Sequence, residues 1–259
     1  MKGTLLALCL LAWAGGAAAD DRETVEKARL AQYSLQREGL ASFQCRLLVD
    51  WEFLLADLLK ADPVTGKSAL AELGRIQFSV AYRIGVPAKI THNSPTPSNP
   101  EQGKAFQNIY TGMDEMMGGF FQTWSPFMAT SSMPPPGNRF TLVERSGQWE
   151  LSFPEADTTV DIVLDRDFAI RSVTATKPDF RGVVQPQFTR SARGYLLTAF
   201  RGETRGKTPG DSAIAEVELD YQDVGGLQLP KKLFISGSAD GGGSFKAKLS
   251  FAECRATRR

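Results

Sequence analysis

The chain has 259 residues, 42% of them apolar, with 30 basic and 29 acidic side chains and a single histidine. That length allows one large β domain or two small ones. The near-neutral balance argues against broad electrostatic capture of nucleic acid or anionic lipid, and one histidine with three cysteines excludes the clustered ligands of a zinc site.

The N-terminus reads as an export signal. Lys2 supplies the positive charge, Leu5 to Trp13 form a short apolar run, and Ala17-Ala18-Ala19 precede Asp20 in the pattern of a cleavage site. The expectation is a signal peptide over 1–19 and a mature chain over 20–259, periplasmic or secreted, the alternative being a retained anchor. No later stretch is long and apolar enough to cross a bilayer. Cleavage removes one charge, Lys2, leaving 29 basic against 29 acidic residues. It leaves two cysteines, Cys45 and Cys254, which in an oxidising compartment are expected to pair. Such a bridge is worth roughly 4–5 kcal/mol in the chain-entropy model. Free thiols or an intermolecular bridge are the alternative.

Along the mature chain, Val25, Ala28, Ala31 and Leu35 share one helical stripe over 21–38, stopped by Gly39. Phe43, Cys45, Leu47, Val49 and Trp51 alternate as a half-buried strand. "EFLLADLLK" and "SALAEL" read as short helices around a turn, and Ile76, Phe78, Val80, Tyr82 and Ile84 as a second strand. Two proline-rich loops follow, "THNSPTPSNPEQG" and "SSMPPPGN". Beyond Asn138, nine strands are expected at 140–144, 149–153, 159–164, 170–176, 183–189, 195–204, 214–223, 229–236 and 245–254. They are separated by turns such as "RSGQ", "TPGD" and "ADGGG". Neither an internal repeat nor a linker is visible, so one domain is expected.

Between the proline-rich loops lies "AFQNIYTGMDEMMGGFFQTWSPFM". Phe106, Ile109, Tyr110, Met113, Met116, Met117, Phe120, Phe121 and Trp124 recur there at helical spacing. Gly118 and Gly119 weaken the helix, and Pro126 is expected to end it. Exposing nine such side chains would forfeit on the order of 15 kcal/mol, so the stripe must be covered. The cover is either the protein's own sheet, as for an ordinary core helix, or a sheet and an apolar ligand together. Methionine suits surfaces that repack against varied apolar shapes. The polar face carries Asp114 and Glu115, unlike a helix lying on a membrane.

Catalytic patterns are not found. His92 stands alone at the edge of a loop, so no Ser–His–Asp or Cys–His arrangement can be built around it. "ADPVTGKS", from Ala61, matches the loosest phosphate-binding loop but follows a leucine-rich helical stretch where a buried strand is required. Asp165/Asp167 and Glu216/Glu218 read as a solvated sheet face. No cofactor or metal is expected.

The order of elements is a leading helix, strands, a helical insertion over about 104–126, then a long meander containing "VELDYQDVGGLQLPKKLFISG". It resembles the LolA/LolB-like superfamily of periplasmic lipoprotein carriers and receptors. The resemblance implies an α+β fold in which a strongly curved antiparallel sheet, an incomplete barrel, is covered by helices. It also implies a ligand that is a lipid or lipoprotein acyl chain. Phe106, Ile109, Met113, Met116, Met117, Phe120, Phe121 and Trp124 would then be the apolar contacts of a non-catalytic binding protein. The alternative is a periplasmic interaction or sensor module with a filled core and no ligand. A hollow or a packed helix–sheet space separates the two readings.

Overall fold

A computed structural model describes residues 14–208, 210–240 and 242–259. Residues 1–13 of the expected export signal lie outside the described residues. The chain forms α1 (Ala14–Ala31), β1 (Leu40–Val49), α2 (Trp51–Leu54), α3 (Ala56–Ala61), α4 (Pro63–Leu73), β2 (Phe78–Arg83), β3 (Val86–His92) and α5 (Pro100–Met128). It then runs through β4 (Thr141–Arg145), β5 (Gln148–Glu155), β6 (Thr158–Leu164), β7 (Ile170–Lys177), β8 (Phe180–Ser191), β9 (Gly194–Gly206), β10 (Ser212–Val224), β11 (Leu227–Ala239) and β12 (Ser244–Arg258).

The strands make one antiparallel sheet in the order β3-β2-β1-β12-β11-β10-β9-β8-β7-β6-β5-β4. Every neighbour is a sequence neighbour except β1 and β12, the first and last strands, which pair with each other. The sheet is curved and does not close, so β3 and β4 are its edges. The fold is α+β, as expected, and compatible with an incomplete barrel.

The alternation read from the sequence sets a single inner face. Leu249, Leu233 and Leu219 stand opposite one another across three strands, as do Ile235, Val217 and Phe200 across another three. All six are buried. Because side-chain direction has period 2, this register puts Glu216, Glu218, Lys232, Phe234 and Lys248 on the outer face.

Several expectations change, among them the turn around 62–66, most of which belongs to α4, and Trp51, which opens α2 and is not part of β1. The first helix ends at Ala31, not Glu38. Beyond it the backbone turns outward to other elements, Tyr33 N–H donating to Tyr195 O and Leu35 N–H to Met128 O. Leu35 is buried, but from a turn. The segment around "KITH" is a strand, β3, paired to β2 with Val80 opposite Ile90. Its alternation is hidden by Pro87 and by polar residues facing solvent at a sheet edge. Finally, α5 runs from Pro100 to Met128 and passes through Pro126. Proline removes one helical N–H near the end, and Ala129 N–H still reaches Ser125 O at 2.8 Å. At the other end Asn99 caps the helix, its side chain accepting from Gln102 N–H at 2.8 Å.

Cys45 and Cys254 are disulfide-bonded, with Cα atoms 4.2 Å apart. The bridge spans β1 and β12 where their register shifts between Gln44 and Arg46 and Glu253 adopts a φ of 53°. Such a bulge places one extra residue on β12 and leaves the ladder locally unpaired. Gln222 fills that gap from β10. Its side-chain amide donates to Pro230 O and Phe251 O, both at 2.9 Å.

Removing the disulfide by Cys45→Ala with Cys254→Ala frees a sequence separation of 209 residues. We expect urea unfolding to show a loss of about 5 kcal/mol by loop entropy, less where the unfolded chain retains structure. Gln222→Leu, which leaves two carbonyls without donors, is expected to cost about 1–3 kcal/mol in the same assay.

Candidate functional site

The helix stripe comes first. Phe106, Met113, Met117, Phe120, Phe121 and Trp124 are all buried, with Met117 and Trp124 at 0% exposure, while Met116 and Ile109 are half-buried against the same core. Tyr110 is buried within the stripe, and Phe127 and Met128 extend it at its C-terminal end. The cover is the inner face of the sheet. Phe121 stacks on Tyr82 with ring centres 5.6 Å apart, and Trp124 meets Phe43 and Tyr82 edge-on at 6.4 and 5.7 Å. Phe120 and Phe121 both contact Phe251 of β12. The structure therefore brings the predicted stripe together as one continuous face, packed on β1, β2 and β12.

The few polar groups in this interface pair with one another. Tyr82 and Ser125 hydroxyls share a hydrogen bond of 2.6 Å, and Trp124 Nε1–H donates to the Tyr221 hydroxyl at 3.3 Å. Desolvation pushes the phenols of Tyr221, Tyr82 and Tyr33 above the ordinary tyrosine value, most strongly at Tyr221. His92, expected in a loop, ends β3 and stacks face to face on Tyr110 with ring centres 3.6 Å apart. It fastens the sheet edge to α5. Its Nδ1 lies 2.8 Å from Asn93 O, which ties the imidazole locally.

The glycines of the stripe do not touch the core. A Cβ added at Gly112, Gly118 or Gly119 would meet nothing within 4 Å, because all three lie on the solvent side of α5. The phosphate-loop look-alike has an equally plain explanation. Asp62 caps α4 by accepting from Val64 N–H and Thr65 N–H, and Gly66 is needed because a Cβ there would come within 2.9 Å of the Leu59 Cα. The glycine serves α3–α4 packing, with no strand before it. Among the described residues no group of three or more His, Cys, Asp or Glu is arranged to hold a metal.

An open concavity lies on the other side of the sheet. A trough of about 970 Å³ crosses the outer face from β8 to β1. Its floor is the cross-strand row Ala199, Glu218, Phe234 and Lys248. Beside that row Asp220 stands opposite Lys232. Phe53 of α2 meets Phe234 edge-on at 6.0 Å, and Lys248 Nζ sits 4.1 Å above the Phe53 ring. Arg201 pairs with Glu203 and Glu216 at 3.1 and 2.6 Å. Glu218, Asp220, Lys232 and Lys248 make no ion pair among the described residues. The trough thus offers an acidic column on β10 beside a basic one on β11 and β12, over a floor broken by one aromatic ring.

Glu216 and Glu218 lie on the solvated sheet face expected of them, whereas Asp165 and Asp167 lie in the turn between β6 and β7; the sequence pattern speaks only to exposure. It missed that this face is concave. A shallow signal exists in the alternation of β10 and β12, whose outward residues are opposite in charge, but curvature follows from twist and bulges and leaves no trace in the alternation. No helix among the described residues is long and apolar enough to cross a membrane. Comparison of the chain with family models, curated proteins and solved structures gives no match.

If the stripe is core, Gly118→Ala and Gly119→Ala should each stabilise the protein by about 1 kcal/mol in thermal or urea unfolding, since they add helix propensity where nothing obstructs a methyl group. Met117→Ala should cost about 2–5 kcal/mol through the cavity it leaves. The raised tyrosine values also carry a sign. A phenol kept protonated in the fold contributes stability that is intact below its unfolded value of 10.0 and lost as pH rises above it. Alkaline unfolding above pH 10 should therefore be shallower in Tyr221→Phe than in the native chain, as measured by tryptophan fluorescence.

Proposed function

We propose that the protein is an exported, non-catalytic interaction module with a filled core, which holds a protein partner in the outer trough of its sheet. The observation that carries this reading is the contrast between the two faces. On the inner face Trp124, Met117 and Phe121 pack against the sheet with their side chains shut off from solvent, so an acyl chain would have to displace α5 from its aromatic cover. On the outer face about 970 Å³ stands open, with charges of both signs unpaired and an aromatic floor. That combination suits a partner surface carrying both charges around an apolar residue, and electrostatic complementarity would set its register. The disulfide and the N-terminal pattern support export.

A second reading, a binder of lipid or lipoprotein acyl chains, draws on a different observation. Toward the far ends of β8–β12 the inner face continues as a half-exposed apolar surface. There Val184, Gly202, Ala215 and Gly237 stand in one cross-strand row that ends at Phe245, itself 46% exposed. Phe180, 38% exposed, lies over Gly182 beside that row. An acyl chain laid there would extend the core without opening α5.

The two readings separate by native mass spectrometry of gently purified mature protein, with organic extraction of the same sample. A protein adduct that is salt-sensitive and lost in Lys232→Glu with Lys248→Glu supports the trough. Adducts at lipid masses that survive this double substitution and are lost in Phe180→Gln with Phe245→Gln support the acyl-chain reading. A clean mass in both the native and variant chains, with no uptake of added acylated peptides, counts against both.

A further inference from the structure

Arg181 and Arg205 stand directly opposite each other on β8 and β9. The sequence neighbours of Arg181, Phe180 and Gly182, belong to the inner face and stand opposite Gly206 and Thr204, the neighbours of Arg205, so both guanidinium groups project from the outer face, and both residues are exposed. Like charges in directly opposed positions of an antiparallel pair destabilise the sheet. Neither arginine makes an ion pair among the described residues, and the carboxylates nearby are engaged or turned away. Glu203 is held by Arg201. Asp240 accepts from the Ser212 hydroxyl. The Asp211 carboxylate occupies the space a Cβ on Gly206 would need, on the inner side of the strand. Asp179, in the β7–β8 turn, reaches neither arginine. Lys207 adds a third cation two residues beyond Arg205.

The same cross-strand row carries hydroxyl residues at both ends, that of Ser212 being donated to the Asp240 carboxylate. Thr176 of β7 lies opposite Arg181, and Ser212 of β10 lies opposite Arg205, so the order across four strands is Thr176, Arg181, Arg205, Ser212. Adjacent strands are about 4.8 Å apart, which lets two guanidinium forks converge on one group of tetrahedral size. Arginine binds oxyanions through paired, planar N–H donors, and the hydroxyl of Thr176 can donate to a remaining oxygen.

We infer that Arg181 and Arg205 form an oxyanion site, which takes a phosphate group between the two guanidinium forks and so relieves their mutual repulsion. The site is separate from the trough and does not depend on what the trough binds. Its width of two strands and its three cations fit one phosphate group and are too small to follow a nucleic-acid backbone. A free phosphate and a phospholipid headgroup present the same chemistry.

The test is thermal unfolding of the full mature chain at low ionic strength, with inorganic phosphate titrated against chloride at matched ionic strength. The inference expects phosphate to raise Tm by several degrees beyond chloride, as for any ligand of the folded state. It also expects Arg205→Gln to unfold at a higher temperature than the native chain in phosphate-free, low-salt buffer, and to lose the phosphate response. That reversal is what a merely exposed arginine would not produce. Arg181→Gln should behave the same way. Co-sedimentation with phosphatidylglycerol vesicles, weaker with phosphatidylcholine and lost in Arg205→Gln, identifies the headgroup as the source. A phosphate response without co-sedimentation identifies the free anion. Phosphate that stabilises no more than chloride, or an Arg205→Gln chain that unfolds no later than the native one in phosphate-free buffer, overturns the inference.

Discussion

The burial of one face of α5 is the constraint on which the rest of the structure depends. Nine large apolar side chains on that helix are hidden, and only a wide apolar surface can hide them. Twelve strands in nearly strict chain order provide it, because their register sends leucine, isoleucine, valine and phenylalanine to a single side. The sheet has to bend around the helix, and where it bends it needs the bulge at Cys254, the Gln222 amide that fills it, and the bridge to Cys45. Joining β1 to β12 puts the first and last strands side by side under α5, where Phe43, Tyr82 and Phe251 complete the aromatic cover.

This arrangement divides the molecule chemically. Methionine and aromatic residues are spent on the inner face as packing, and Glu216, Glu218, Asp220, Lys232 and Lys248 stand on the outer face, where curvature gathers them into a trough. The tyrosines are the exception, with hydroxyls that enter the apolar interface as hydrogen-bonded pairs, Tyr82 with Ser125 and Tyr221 with Trp124. A buried hydroxyl with one partner specifies a register, since sliding the helix would strand it without one. Unpaired charges on the outer face impose no such demand on the fold, which leaves Glu218, Asp220, Lys232 and Lys248, and separately Arg181 and Arg205, free for recognition.

Much of the fold was legible because period is local. The alternation of Ala215, Val217, Leu219 and Tyr221, and the helical spacing from Phe106 to Trp124, report which side of an element is apolar, whatever lies beyond. All nine strands after Asn138 are present, and all but β4 run one to five residues longer than their alternation indicated, because hydrogen bonding persists into polar hairpin ends. β3 was illegible, for an edge strand with one face under a helix and polar residues toward solvent carries half a pattern. The fate of Pro126 was also hidden, since proline breaks a helix only where its missing N–H and its ring matter, and in the last turn they matter little.

Taken alone, the sequence determined the α+β fold class, the helical stripe, the faces of the strands and the cysteine pair, because each depends on residue type at short range or on simple counting. It could say that the stripe is covered but not by what. Only the tertiary structure decided that the sheet itself fills that role, that the glycine pair lies on the solvent side of the helix, and that the open concavity belongs to the opposite face. The same is true of Arg181 and Arg205, 24 positions apart in the chain and opposed in space. The physical reason is that curvature, strand register and the meeting of distant side chains arise from the sum of many weak packing choices, and no single stretch of the chain contains that sum.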